Sequence, residues 1–154
     1  MTLYVLALLI GVIAGLRAVV APAAVSWAAW LGWLPLQGTP LAFLGHTVAP
    51  WILTVLALGE LVGDKLAKTP SRKIPVQFGT RLLTGALCGA AVGAGEKLLL
   101  PGLLLGLLGA VIGTLGGAAV RARLAGAFGR DLPAALIEDV VAVAGAALIV
   151  MARA

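Results

Sequence analysis

The chain has 154 residues, of which 62% are hydrophobic and only 11% charged, with a mean hydropathy of +1.13 and a formal net charge of +5. A soluble domain carries charge on about a quarter of its residues, and a chain this short cannot hide the long apolar runs seen here, so the composition excludes an ordinary soluble fold and predicts one transmembrane domain over 1–154. Eight of the eleven Lys and Arg residues fall in two stretches, 65–81 and 121–130, each with a single aromatic, Phe78 and Phe128; this points to topogenic charge facing the cytoplasm and anionic headgroups rather than to nucleic acid.

The first apolar run spans 3–34, interrupted only by Arg17 and Ser26. No basic segment precedes it, so it is expected to be retained as a helix rather than cleaved as a signal peptide. As one helix it would be roughly 48 Å long against a hydrocarbon core of roughly 30 Å, so it must break. Pro22 is the expected place, because it removes a backbone donor and clashes with the preceding turn. That gives a first helix over 3–21 and a shorter segment over 23–34. Trp27, Trp30 and Trp33 recur every third residue there and place the segment at the membrane boundary, lying along it or re-entering.

Residues 35–49 read as an uncharged loop rich in Pro, Gly and Thr, with His46, the only histidine, as a solvated side chain. A second helix is expected over 50–66, with Pro50 in its first turn. Trp51 lies at its start, so all four tryptophans mark one membrane face, while Lys65, Lys68, Arg72 and Lys73 mark the other. A third helix over 80–95 turns tightly at Glu96 and Lys97 into a fourth over 98–120. A second basic loop then leads to a fifth helix over 132–151, with Asp131 as N-cap and Pro133 in the first turn. The expected fold is therefore all-α: a polytopic membrane helix bundle of about five spans with a broken first helix. Counting Lys and Arg across the loops puts the N-terminus in the cytoplasm and the C-terminus outside; a re-entrant segment after Pro22 would change the count.

Glycines recur at intervals of four at Gly85, Gly89 and Gly93 and at Gly109, Gly113 and Gly117, with single pairs at Gly11/Gly15 and Gly59/Gly63. Such stripes let helix backbones approach closely in lipid, within one chain or across a homodimer seam. The segment 11–20 loosely matches 110–119, and 57–64 matches 135–142, which suggests an inverted repeat of the kind found in transporters. Cys88 is the only cysteine, so neither an internal disulfide nor a Cys-rich metal site is expected.

Ionisable side chains inside apolar spans are costly, and they pair or line polar cavities. Glu60 lies roughly 15 Å along the second helix, near the midplane, and Asp64 follows one turn later on the same face. Glu138 and Asp139 lie at comparable depth in the last helix. Two like charges one turn apart need a cation or a shared proton, so Glu60, Asp64, Glu138 and Asp139 are the candidate ion or substrate site. Arg17, Lys65 and Arg81 are the candidate counter-ions. No catalytic set, Walker loop, dinucleotide fingerprint or metal-binding cluster is present, so no enzyme, cofactor or metal is expected.

At G-E-L-V-G-D-K (59–65), A-L-I-E-D-V-V-A-V (135–143) and G-L-R-A-V-V-A-P (15–22) the chain resembles the small bacterial membrane proteins catalogued as domain of unknown function 4126. These carry E-x-x-A-D-K-x-P-like, S-x-x-E-D-V and G-L-R…P elements in the same order. Gly63 stands where Ala is usual, Ala67 where Pro is common, and Ala134 or Ala135 where a small polar residue precedes Glu138. The resemblance implies a multi-pass protein of the bacterial inner (plasma) membrane in a family whose name assigns no function. E-L-V-G-D-K also resembles the E-x-G-D-[KR]-[ST] motif of organellar cation exchangers, with one extra residue before Gly63. The expected function is a small transporter or permease-like protein, ion- or proton-coupled, with membrane lipids, a small ion and a second copy as partners. A non-transporting scaffold and a lipid-handling protein are the alternatives.

Overall fold

The computed structural model describes residues 2–66 and 73–154. Lys68 and Arg72 of the first basic stretch, and Ala67, lie outside them. The elements are α1 (Thr2–Leu16), α2 (Val20–Trp30), a 3-10 turn (Ala42–Gly45), α3 (Ala49–Gly63), α4 (Pro75–Ala94), α5 (Leu99–Phe128) and α6 (Asp131–Met151). Five of the six helices begin where the sequence supplies a proline. Pro22, Pro50, Pro75, Pro101 and Pro133 all fall within the first three residues of their helices, where the backbone N–H groups have no intrahelical partner.

The first apolar run does break, but one turn before the expected position. α1 ends at Leu16 rather than at residue 21, and α2 starts at Val20. A proline ring clashes with the carbonyl four residues earlier, here that of Ala18, so the helix containing Pro22 cannot extend back through that residue. Starting at Val20 puts Pro22 in the first turn.

α2 packs inside the bundle rather than along its surface. Eight of its eleven residues are buried, among them Ala21, Val25 and Ala28. It runs back beside α1, and the two form a hairpin that turns at Arg17, Ala18 and Val19. Thr2, Glu96, Leu98 and Arg153 line one small cavity, and Gly95 lies against Pro35 just beyond α2. The start of α1, the chain after α2, the α4–α5 turn and the end of α6 therefore share one end of the bundle. This corrects the expectation that the two termini lie at opposite ends. The same end holds the tryptophans: Trp27 meets Trp30 and Trp51 edge-on, with ring centroids 5.6 and 5.0 Å away, and donates to the Thr54 hydroxyl at 3.0 Å.

α5 is longer than expected. Instead of giving way to a loop after Val120, it continues two turns to Phe128, because Arg, Ala and Leu all favour helix. Gly129, at φ +68°, ends it in a left-handed cap. Arg130 takes the extended cap position of α6, and Asp131 is its first helical residue rather than its N-cap.

The glycines explain how α1, α4 and α5 meet. Gly85, Gly89 and Gly93 of α4 face, in antiparallel order, Gly106 and Gly102 of α5 and Leu98 just before it, while Gly11 and Gly15 of α1 face Gly106 and Ala110–Thr114 in parallel order. A Cβ on Gly89 would run into the backbone oxygen of Gly102, and one on Gly113 into that of Val12. Gly59 and Gly116 face open space instead. The suggested inverted repeat does not survive this arrangement. Segments 11–20 and 110–119 run parallel and touch, whereas α3 and α6, which hold 57–64 and 135–142, run antiparallel. No single two-fold axis relates both pairs. Among the described residues, two helices, α5 and α6, are long and apolar enough to cross a membrane; α1, α2 and α3 are shorter apolar helices.

Candidate functional site

Breaking a helix in an apolar interior leaves carbonyls at one new end and amides at the other, and both need partners. At the turn between α1 and α2, two oppositely charged side chains meet those ends. Arg81 of α4 donates from Nη1 to the carbonyls of Gly15 (2.9 Å) and Leu16 (2.7 Å) at the negative end of α1. Glu60 of α3 accepts from the amides of Ala18 (2.7 Å, Oε1) and Val19 (2.8 Å, Oε2) at the positive start of α2. Each charge therefore has the sign that its helix end favours. Arg81 and Glu60 also lie 3.7 Å apart, and Thr114 Oγ1 donates to the Gly15 carbonyl at 3.3 Å.

Arg17, at the apex of the turn, is wholly buried. Its guanidinium forms ion pairs with Asp64 at the end of α3 (Nη1, 2.8 Å) and with Asp139 of α6 (Nη2, 2.5 Å), and Asp139 accepts a hydrogen bond from Nε at 2.8 Å. Lys65 pairs with the other Asp139 oxygen and also donates to the Leu61 carbonyl at 2.6 Å. Arg121 of α5 pairs with Asp64, holds Asp131 through Nε (2.9 Å) and Nη2 (2.5 Å), and lies 3.5 Å from Glu138. Arg81, Glu138 and Asp139 are all buried. Arg81, Arg121 and Asp139 sit roughly 9–12 Å in from the nearer ends of α4, α5 and α6. The turn thus stops short of the far end of the bundle.

All seven residues singled out from the sequence, Glu60, Asp64, Glu138, Asp139, Arg17, Lys65 and Arg81, come together at this junction. Their pairing differs in one respect. Glu60 does not face Asp64 as a repelling neighbour; it turns to the backbone amides of α2, while Asp64 turns to Arg17 and Arg121. Sequence reasoning missed Arg121 and Asp131, having assigned both to a loop and its helix cap. The absence of any breaker between Val120 and Gly129 was the available signal. It also missed the amides of Ala18 and Val19, which become ligands only because the helix breaks there.

Two apolar cavities flank the junction. One, of about 310 Å³, lies between α1, α5 and α6 and has Arg121 and Glu138 among its lining residues. The other, of about 330 Å³, separates α3 from α6 over α2, and Thr54, Ala57, Leu61, Val143 and Ala147 line it. Glu60 lines neither. No group of three His, Cys, Asp or Glu side chains among the described residues is arranged to hold a metal ion. His46 is exposed in the loop and Cys88 is buried in α4. No known protein family, curated protein or solved structure matches the chain.

Proposed function

We propose that this is a multi-pass protein of the bacterial inner membrane, permease-like and coupled to a proton or small cation, whose working centre is the broken α1–α2 turn. Large apolar side chains exposed around the outside, such as Val55, Leu83, Val140 and Leu148, support the membrane setting. With the basic stretches in the cytoplasm, the positive-inside rule then puts both termini outside. The resemblance at 15–22, 59–65 and 135–143 belongs to the same proposal.

One observation carries the functional part: half-buried Glu60 and buried Arg81 hold the two ends of an interrupted helix inside an apolar bundle. Interrupted helices at membrane depth line substrate and ion sites in transporters, where helix ends supply the ligands. A structure needing only rigidity is served as well or better by apolar residues than by a buried ion-pair network. Glu60→Gln keeps the shape and an acceptor oxygen but removes the charge. Reconstituted in proteoliposomes, this variant should fold and lose pH- or cation-dependent flux; retention of full flux would remove Glu60 from the mechanism.

A non-transporting scaffold is the second reading, favoured by the pairing of all four candidate carboxylates. In that case Glu60→Gln should lower thermal stability, and neither it nor the wild type should support flux. A lipid-handling role would use the apolar cavity beside Arg121 as its lateral groove.

A further inference from the structure

α3 joins the rest of the bundle in an unusual way. It has the same length as α1, fifteen residues, yet buries only Pro50 and Ala57 where α1 buries eight residues. Its backbone packs appreciably only against α2 and the 3-10 turn. A Cβ added at Gly59 would meet open space, and Val55, Leu58 and Val62 are exposed. The 330 Å³ cavity separates it from α6. Its far end nevertheless supplies Glu60, Asp64 and Lys65, which reach the α1–α2 turn, α5 and α6. The start of α3 is held differently, by Trp51 packed on Trp27 and by Thr54 bonded to the Trp27 indole.

We propose that α3 is the moving element of the protein. It pivots about the Trp27–Trp51–Thr54 contact and swings its Glu60–Asp64–Lys65 end away from the α1–α2 turn. The physical basis is the kind of contact at each end. Interdigitated backbones have one fit and resist sliding, whereas charged hydrogen bonds can be exchanged for water or for another ion. A segment with few buried contacts opens at lower free energy than a packed core, and hinge motions use an anchored end and a releasable one. On outward swing, Glu60 leaves the amides of Ala18 and Val19, and Asp64 and Lys65 leave Arg17 and Asp139, so the junction opens on the α3 side. The purpose assigned to this motion, access to the junction, rests on the transport reading above; the motion itself does not.

The test uses the full chain in lipid nanodiscs, with Cys88→Ala and nitroxides on introduced cysteines at exposed positions. Distances between Val62 and Val140, at the junction end of α3 and on α6, are measured by pulsed electron double resonance. Controls are Ile52 with Leu148, near the pivot, and Leu83 with Leu108, on α4 and α5. The 62–140 pair should give a broad or two-peaked distribution, shifted to longer distance by Asp139→Asn, while both control pairs stay narrow and unshifted. A 62–140 distribution as narrow as that of 83–108, in the parent and in Asp139→Asn alike, would overturn the proposal. So would flux that survives a bismaleimide bridge between cysteines 62 and 140, and that result leaves transport itself standing. A mobile α3 without flux of any tested ion supports the motion and removes the transport reading.

Discussion

The α1–α4–α5 core and the α3 junction hold helices together by opposite means. In the core, glycine removes the side chain altogether, and backbones touch at Gly89–Gly102 and Gly113–Val12. At the junction, long charged side chains span the space between helices that do not interlock, as Asp64 does in reaching Arg17 and Arg121. Lipid offers no hydrophobic drive for helix pairing, so a membrane bundle relies on close fit or on polar bonds. Close fit tolerates no change of position. Polar bonds fail if one partner is removed, but they can be exchanged when both move. The difference separates a rigid scaffold from a surface able to rearrange.

The comparison can be broken most severely at Arg17. Replacing it with Met leaves Asp64 and Asp139 without their shared buried cation, and the expected loss is about 3–5 kcal/mol. Adding Asp139→Asn to Arg17→Met should recover part of it, whereas an independent pair would lose more. Thermal unfolding in detergent, followed by tryptophan fluorescence, reads both variants.

Gly89→Leu comes next. With backbone already in the space of the new side chain, overpacking should destabilise by about 3 kcal/mol, or roughly 10 °C in Tm. Gly113→Leu should behave alike. The same change at Gly59, which faces open space on α3, should shift Tm by no more than about 2 °C. Equal effects at Gly89 and Gly59 would erase the distinction between the two regions.

The smallest expected structural effect belongs to Trp27→Phe. It keeps most of the ring packing on Trp51 but deletes the donor to Thr54, for a loss of about 1 kcal/mol. If α3 pivots there, the variant should also broaden the distances near residue 52. Unchanged stability together with unchanged distances would remove Trp27 as an anchor.

Much of this arrangement was legible in the sequence. Charges in apolar runs identified the junction residues, and Pro50 and Pro133 marked helix starts, since both signals are local; Pro75 went unread, so the helix expected from residue 80 starts at Pro75 instead. The position of the break was not legible from Pro22 alone, because a proline forbids helix upstream of itself and is accommodated in a first turn. The direction of residues 20–30 was equally hidden. Three tryptophans at close spacing look the same on a helix lying along a boundary and on one returning through the bundle. Arg121 was missed because a basic cluster reads as a loop, although nothing between Val120 and Gly129 stops a helix. The apparent repeat failed because Ala-, Gly- and Val-rich text matches itself irrespective of helix direction.

The hairpin at Arg17 underlies both the fold and the site, and accessibility of single cysteines tests it most directly. In a Cys88→Ala background in intact cells or oriented vesicles, cysteines at Thr2, Gln37 and Ala154 should all react with a membrane-impermeant maleimide from one face, and a cysteine at Lys73 from the other. Reaction of Thr2 from the same face as Lys73, with Ala154 on the opposite face, would mean that the chain crosses once between residues 2 and 37, and would contradict the hairpin.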